Sequence, residues 1–484
     1  METALVQRQR DIVGQLNGHG LSLRFRHVAS LAFVRGGGVA LQFVSVIAVA
    51  WVLDEANAGT YFFAFSIAQL SAALARVGLD QSMVRNVPVL LHRGQHALVR
   101  GAFGSGVALG CGAAVIVALL STQLAPAHVR LHLVFVIVAM VVMSVAIGVL
   151  QGLDHSRSFA LLRDVVQPGA FLLWLVVAAP DARGALGGLA GSYLLSFVVA
   201  LFLVLAALGV GSVRAPPRHV FGDAIALWPT SLLAQGLRWA DTLVLGLIAG
   251  PLFLATFTPL SRAAALVTFP LTVVNVSFPQ RIALLERLRN TTRMLALSRV
   301  ATALSVLASS AIIVAIWPYL QALVPWIVPG TREPGAVVAF GVLIIGQLWS
   351  AASGPSGYTL MMTGLARFES RALLSGLAVY VGLAAATVPA YGIAAAAAAA
   401  AAMHALSNAL RLRAIMQRLD LIPTGRHHVV AFAAVGSIII ASITLPTMLV
   451  VTIQAGLIGL ITRETVLMVR TEPSTRRDSA EEAS

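Results

Sequence analysis

Lysine is missing altogether, and cysteine occurs once, at Cys111. A lone thiol in an apolar run excludes a disulfide framework and a cysteine-held metal cluster. Charge of any kind is scarce: 11% of the 484 residues are charged against 58% hydrophobic, and the mean hydropathy is +0.88. That balance excludes a water-soluble globule, and no soluble domain of useful size remains once the apolar spans are removed. Chemistry is lacking too. There is no HExxH spacing for a metal, no Walker sequence for ATP and no DxD-type acidic pair for a nucleotide sugar. The first 26 residues are polar, with Arg8, Arg10, Arg24 and Arg26. They lack the charged, apolar, cleavage-site order of a signal peptide, so a cytoplasmic tail is expected.

What charge there is leans basic. The formal net charge is +14, and every one of its basic side chains other than histidine is arginine. In a soluble protein this would suggest nucleic acid as a partner. Here the arginines are scattered over short loops, so the reading is topological, with no nucleic-acid partner.

About 20 apolar residues cross the hydrocarbon of a bilayer. By that rule the chain divides into a tail (1–26), an N-lobe (27–210), a link (211–222), a C-lobe (223–412), a loop (413–427), two further spans (428–469) and a tail (470–484). The N-lobe spans are 27–52, 59–82, 99–120, 129–151, 165–180 and 186–209. Those of the C-lobe are 223–249, 253–279, 295–316, 336–363, 371–389 and 392–412. The last two are 428–445 and 449–469, which makes about fourteen transmembrane helices in an all-α polytopic membrane protein. Charge tests the count. With both termini inside, the outward connectors hold only Arg130, Arg183 and Arg332, while Arg76, Arg238 and Arg262 fall within spans. Every other arginine lies on the cytoplasmic side, as positive-inside orientation demands.

The stretch 342–374, VLIIGQLWSAASGPSGYTLMMTGLARFESRALL, is long enough to cross yet carries Gln347, Ser350, Ser353, Ser356, Tyr358, Thr359 and Thr363. A helix facing lipid has no use for so many hydroxyls, whereas one lining a wet cavity does. Its exit is repeated. GLDHSRSFALL (152–162) set on GLARFESRALL (364–374) matches at Gly152/Gly364, Leu153/Leu365, Ser158/Ser370, Ala160/Ala372, Leu161/Leu373 and Leu162/Leu374. An internally repeated polytopic chain is first of all a transporter candidate. The nine-alanine run 394–402 suits close packing against a neighbouring helix.

A Gly-rich first helix leads through a short turn into AGTYFFAFSIAQL and then RVGLDQSMVRNVPVLLHRG. This order resembles the polysaccharide and oligosaccharidyl-lipid flippases of the MOP superfamily, to which the MATE transporters also belong. LRWADTLVLGLIAGPLFLATFTPLSRAAALVTFPLTVVNVSFPQRIALLER is similar to that family's seventh and eighth helices, and GPSGYTLMMTG to its tenth. The resemblance covers roughly residues 28 to 420. It implies two six-helix lobes related by a pseudo-twofold about a central cavity, and alternating access by lobe rocking. It also implies a polyprenyl-diphosphate-linked glycan as substrate, polysaccharide-assembly enzymes as partners and a place in the bacterial inner membrane.

A diphosphate crossing the midplane needs fixed cations, and arginine stays charged while its fork binds phosphate oxygens in pairs. Arg262 is the foremost candidate, about nine residues from the outer end of its span. Either substrate or a carboxylate from another span must compensate it. Arg35 precedes Gly36 to Gly38 and is either a cavity residue, as the family suggests, or an interface anchor. Arg238 and Asp241 stand at i, i+3, and Arg76 and Asp80 at i, i+4, both ion-pair spacings. The alternative makes Arg238 and Arg76 substrate ligands and Asp241 or Asp80 the ion-coupling carboxylate. Gln42, Gln69, Gln235, Asn275, Gln347 and Tyr358 are expected to line the cavity, where they would hydrogen-bond sugars, or else to pack helices. No cofactor is expected. With no ATP site, a proton or sodium gradient is the expected driving force, and a monomer suffices.

Three other functions stay in view. A MATE-type cation-coupled antiporter usually needs a first-lobe carboxylate, and spans 1, 3 and 6 contain none. A peptidoglycan-precursor flippase shares the fold and the cationic cavity. A membrane glycan polymerase or ligase needs a substantial outward loop, and the longest here, about 317 to 335, is short.

Overall fold

The structure is a computed structural model that describes residues 37–178, 181–209, 211–275, 278–331, 333 and 335–471. Within helices, the side chains of 156–157, 230–231, 233–237 and 468–471 lie outside the description. All regular structure among the described residues is helical. Eleven helices are long and apolar enough to cross a membrane, counting Ala366–Leu419 once. That 54-residue helix breaks at Gly392 (φ 60°, ψ −141°), so it is two spans. The shorter apolar helix Gly37–Val52 and the 31-residue helix Arg218–Ile248 complete fourteen.

Local chemistry sets the ends. Asp54 caps helix Glu55–Ala75 by accepting the Asn57 amide at 2.8 Å, and that bond holds its carboxyl below the usual range. Asp181 and Asn290 cap Ala182–Leu208 and Thr291–Ile316 in the same way. The expected second span, 59–82, is two helices in the structure, Glu55–Ala75 and Leu79–His92, divided at Val77 and Gly78, whose φ values are 48° and 70°. The alanine run packs on Ala336–Ala352, where a Cβ on Gly346 would sit 2.9 Å from Ala401 Cα.

Apolar packing is uneven along the bundle. Toward the end bearing Trp51, one continuous core joins residues from both halves, among them Phe62, Phe63, Leu245, Phe257, Ile344 and Ala396. There Trp51 donates its indole N–H to the Trp326 carbonyl at 2.8 Å. Toward the opposite end the core divides. Met83, Val87, Val149 and Ala224 belong to one cluster, and Phe278, Ile282, Leu360 and Ile415 to another. The halves are sealed at one end and separately packed at the other.

Arg218–Ile248 joins them. Its first turns bond to the first half through Ser82 Oγ, which donates to Val220 O at 2.5 Å, and through Asn86, whose side-chain amide donates to Asp223 at 3.1 Å. Farther along, Tyr380 of the second half donates its hydroxyl to Asp241 O at 3.0 Å. The final pair, Arg426–Thr444 and Thr447–Thr471, is tied together by the Arg426–Glu464 pair (2.9 Å) and docks through Gln454 to Ala315 O (2.7 Å) and through His428 Nε2, 2.8 Å from Ala352 O.

Candidate functional site

A cavity of about 270 Å³ lies mostly within the first half, closed on one side by Arg238 and Trp239 of the joining helix. Gln42, Gln69, Arg76, Asp80 and Arg238, all singled out in the sequence, line it. Arg76 and Asp80 do face each other, at 3.6 Å, beyond hydrogen-bond distance. Arg163, Gln81, Gln151, Gln167 and Tyr193 line it as well, although the sequence does not single them out.

The reason Arg163 escapes notice is local. By hydropathy, residues 152–164 form an inner connector. In the structure the helix restarts at Ser156 and passes through a π-helical turn, Leu162–Val166. A π turn adds a residue to the helical repeat and rotates the side chains it carries, a device frequent at functional sites. Here it brings Arg163 to the cavity wall, 3.9 Å from its neighbour Asp164. The signal that could have found it was RDVVQP, two charges and an amide at the head of an apolar span.

Arg163 is the electrostatic neighbour of both Arg76 and Arg238. Three guanidinium groups therefore share one cavity, and among the described residues Asp80 is the one carboxylate in its lining. Among the described residues, no carboxylate lies within 4 Å of Arg238. The rest of the wall combines aromatic rings (Tyr61, Phe65, Phe171, Tyr193 and Trp239) and glutamines with aliphatic side chains such as Met140, Met143 and Ile147. Such a wall offers flat apolar faces and neutral donors and acceptors around a cationic centre.

Arg262 has a different setting. Its Nη2 donates to Asp241 Oδ1 at 3.0 Å and to Thr242 Oγ1 at 3.1 Å, and its Nη1 to Arg238 O at 3.1 Å. Its Cζ lies 4.0 Å from the Trp239 ring centroid. Asp241 also accepts from the Thr242 amide at 2.7 Å and from Ser261 Oγ at 3.2 Å. The i, i+3 spacing suggested Arg238 as the partner of Asp241, yet the carboxylate meets Arg262 of the next helix instead. Arg238 is left exposed toward the cleft.

Gln347, Asn275 and Tyr358 are not among the residues that line the cavity, although Tyr358 is an electrostatic neighbour of Arg238. Gln347 belongs to a polar seam between Ala336–Ala352 and Ala366–Leu419, with its Nε2 3.3 Å from His404. The seam continues through Ser350 and Asn408 to Arg411, whose fork grips Glu369 at 2.8 and 2.6 Å. Tyr358 is 36% exposed on the short helix Ser356–Met362, and Asn275 holds a buried Oδ1 without a partner. Arg35 and the Gln235 side chain lie outside the described residues. Among the described residues, no cluster of His, Cys, Asp or Glu could hold a metal ion.

No family model matches the sequence, and no curated protein matches it. Solved structures do match in fold. The lipid II flippase MurJ in an inward closed conformation aligns with a TM-score of 0.66 at 10% identity, covering 90% of this chain and 98% of that one. A multidrug resistance MATE family transporter of the MOP superfamily, inward-facing, aligns at 0.62 and 16%, covering 80% and 98%. A MOP superfamily transporter from Pyrococcus furiosus, described as having a binding pocket of reverse polarity that suggests a different function, aligns at 0.57 and 16%, covering 81% and 95%. The chain is a multi-pass membrane protein with the fold of the MOP-superfamily transporters.

Proposed function

We propose that this protein flips an anionic, polyprenyl-diphosphate-linked oligosaccharide from the cytoplasmic to the outer leaflet of a bacterial inner membrane, for exopolysaccharide, capsule or O-antigen assembly. The observation that carries this reading is the cavity's charge: among the described residues Arg76, Arg163 and Arg238 line it with Asp80, and Asp164 stands beside Arg163 at 3.9 Å, which leaves Arg238 with no carboxylate within 4 Å. Holding a guanidinium group such as that of Arg238 at membrane depth without a carboxylate beside it is costly, and the cost is recovered only if water or an anion meets it. Arg238, with no carboxylate near it, would take the diphosphate, joined by Arg163 and Arg76. Glutamines and aromatic faces would hold the first sugar, and the polyprenyl tail would stay in lipid. A cavity of about 270 Å³ is at the lower limit for small-ligand sites, so it suits a headgroup and not a whole repeat unit.

Positive charge argues against a cationic drug as cargo. The Pyrococcus furiosus neighbour, whose pocket of reverse polarity is described as suggesting a different function, offers a precedent for pocket charge and function varying together on this fold. If the arginine-rich connectors face the cytoplasm, the sealed Trp51 end is outermost and the divided cores face inward. The halves then stand as lobes open to the leaflet where the substrate is made. Transport would proceed by rocking about the joining helix, driven by a proton or sodium gradient.

The test is lipid extraction from cells depleted of this protein, with mass spectrometry and a sidedness probe. A completed lipid-linked repeat unit should accumulate on the cytoplasmic leaflet. Wild-type protein should clear it, and Arg238→Gln or Arg163→Gln at equal membrane level should clear it at least about tenfold more slowly, the effect of losing one charged contact worth about 1.5–3 kcal/mol. No accumulation, with altered sensitivity to cationic drugs, would overturn the flippase in favour of an antiporter.

A further inference from the structure

We infer that the cytoplasmic end of the helix beginning at Ala366 is a binding site for an anionic phospholipid, independent of the cargo cavity. Three guanidinium groups converge on one ring: Arg367, Arg418 and Arg371 have their Cζ atoms 5.2, 5.3 and 5.9 Å from the Phe368 centroid. All three are exposed, and none has a carboxylate within 4 Å among the described residues. The acid in the same turn, Glu369, is buried and taken by both arms of the Arg411 fork. One ring attracts a nearby cation only weakly at an exposed site, and three cations brought together on it repel one another. A phosphate among them would reverse the sign of that interaction, since each guanidinium can donate two hydrogen bonds to its oxygens.

The helix face above the arginines says which phosphate. Residues 367, 371, 374, 378, 381 and 385 recur at intervals of three and four, so they form one stripe. All six are exposed. The stripe begins with two arginines and then turns wholly apolar, through Leu374, Ala378, Val381 and Ala385. A face that is cationic at its foot and apolar over the next three turns matches an amphiphile with an anionic head and an acyl chain. A soluble anion would have no use for the apolar part. Leu374 and Val381 are 51% and 39% exposed and would flank the chain, while the two alanines leave room for it.

The test uses the full chain in detergent with phosphatidylglycerol, and native mass spectrometry counts retained lipid. Arg367→Gln/Arg371→Gln/Arg418→Gln should lose affinity by at least about tenfold, the yield of losing charge-assisted hydrogen bonds to one bound phosphate. A control triple, Arg93→Gln/Arg289→Gln/Arg293→Gln, removes equal charge elsewhere and should retain lipid as the wild type does. Equal loss in both triples, or no loss in either, would overturn the site. So would equal retention of phosphatidylcholine. Inorganic phosphate that displaces the lipid at matched concentration would show a free-anion site and refute the lipid assignment.

Discussion

The pair formed by Arg262 and Asp241 makes the sharpest quantitative prediction. Asp241 is 8% exposed and accepts from Arg262, from the Thr242 amide and from Ser261. Asp241→Asn keeps the volume but removes the anion, leaving the guanidinium with a carbonyl, a hydroxyl and the Trp239 ring. Removing one partner of a buried pair costs about 3–5 kcal/mol, because the other charge stays behind uncompensated. Arg262→Met should cost a similar amount, since its loss strands the carboxylate. Replacing both removes charge and counter-charge together, so the double variant should lie within about 1–2 kcal/mol of wild type. The coupling energy in the cycle should then exceed about 2 kcal/mol, well above the few tenths found for independent sites. Equilibrium unfolding of the purified chain in mixed micelles measures all four corners. Arg262→Lys should fall between the extremes, because a point ammonium cannot reach Arg238 O, Asp241 and Thr242 at once. If the two single costs simply add in the double variant, the pair does not bind the two helices together and the argument fails.

Two further outcomes follow from the packing. A Cβ on Gly59 would sit 2.2 Å from Pro251 O and 3.1 Å from Leu252 Cα, both backbone atoms that cannot yield. Gly59→Leu should therefore wedge the sealed end apart and speed outside labelling of a cysteine placed at Gln69, and an unchanged rate would show that the seal lies elsewhere. Cysteines at positions 54, 93 and 289 should be labelled from outside, inside and inside respectively; a reversal at any of them would refute the orientation drawn from the arginines.

Hydropathy and turn residues made the span pattern legible, because a membrane allows few ways to satisfy a backbone. The link between 152–162 and 364–374 was legible for the same reason: both are short polar turns between long apolar runs. Breaks inside runs were harder. Val77 itself carries no composition signal, and only the neighbouring Gly78, also at positive φ, marks the break. Side-chain partners were the least legible. Spacing along one helix placed Arg238 beside Asp241, but the carboxylate turns toward the next helix, and no local pattern encodes Arg262 twenty-one residues away. Gln347 reads as a cavity residue because polar groups in a span usually mean water. It meets His404 instead, a partner fifty-seven residues distant that only the packed fold supplies.

Pair geometry also separates arginines that can change partner from those that cannot. Arg411 holds Glu369 at 2.6 and 2.8 Å and Arg262 holds Asp241 at 3.0 Å, both at hydrogen-bond distance. An incoming phosphate would have to break those bonds before making its own. In the cavity, Arg76 stands 3.6 Å from Asp80 and Arg163 3.9 Å from Asp164, contacts that keep the Coulomb attraction and give up the hydrogen bond. A phosphate can recruit these guanidinium groups at little cost, so an anionic headgroup should engage the first half and leave the second half's pairs intact. Asp80 then acts as a competitor for the site. Asp80→Asn should tighten binding of farnesyl diphosphate, used as a soluble probe, by about five- to tenfold at low salt, the yield of removing roughly 1 kcal/mol of competing attraction. Asp241→Asn should leave that affinity unchanged. Equal tightening by both substitutions, or none from Asp80→Asn, would mean that the cavity arginines are not the groups that receive the phosphate.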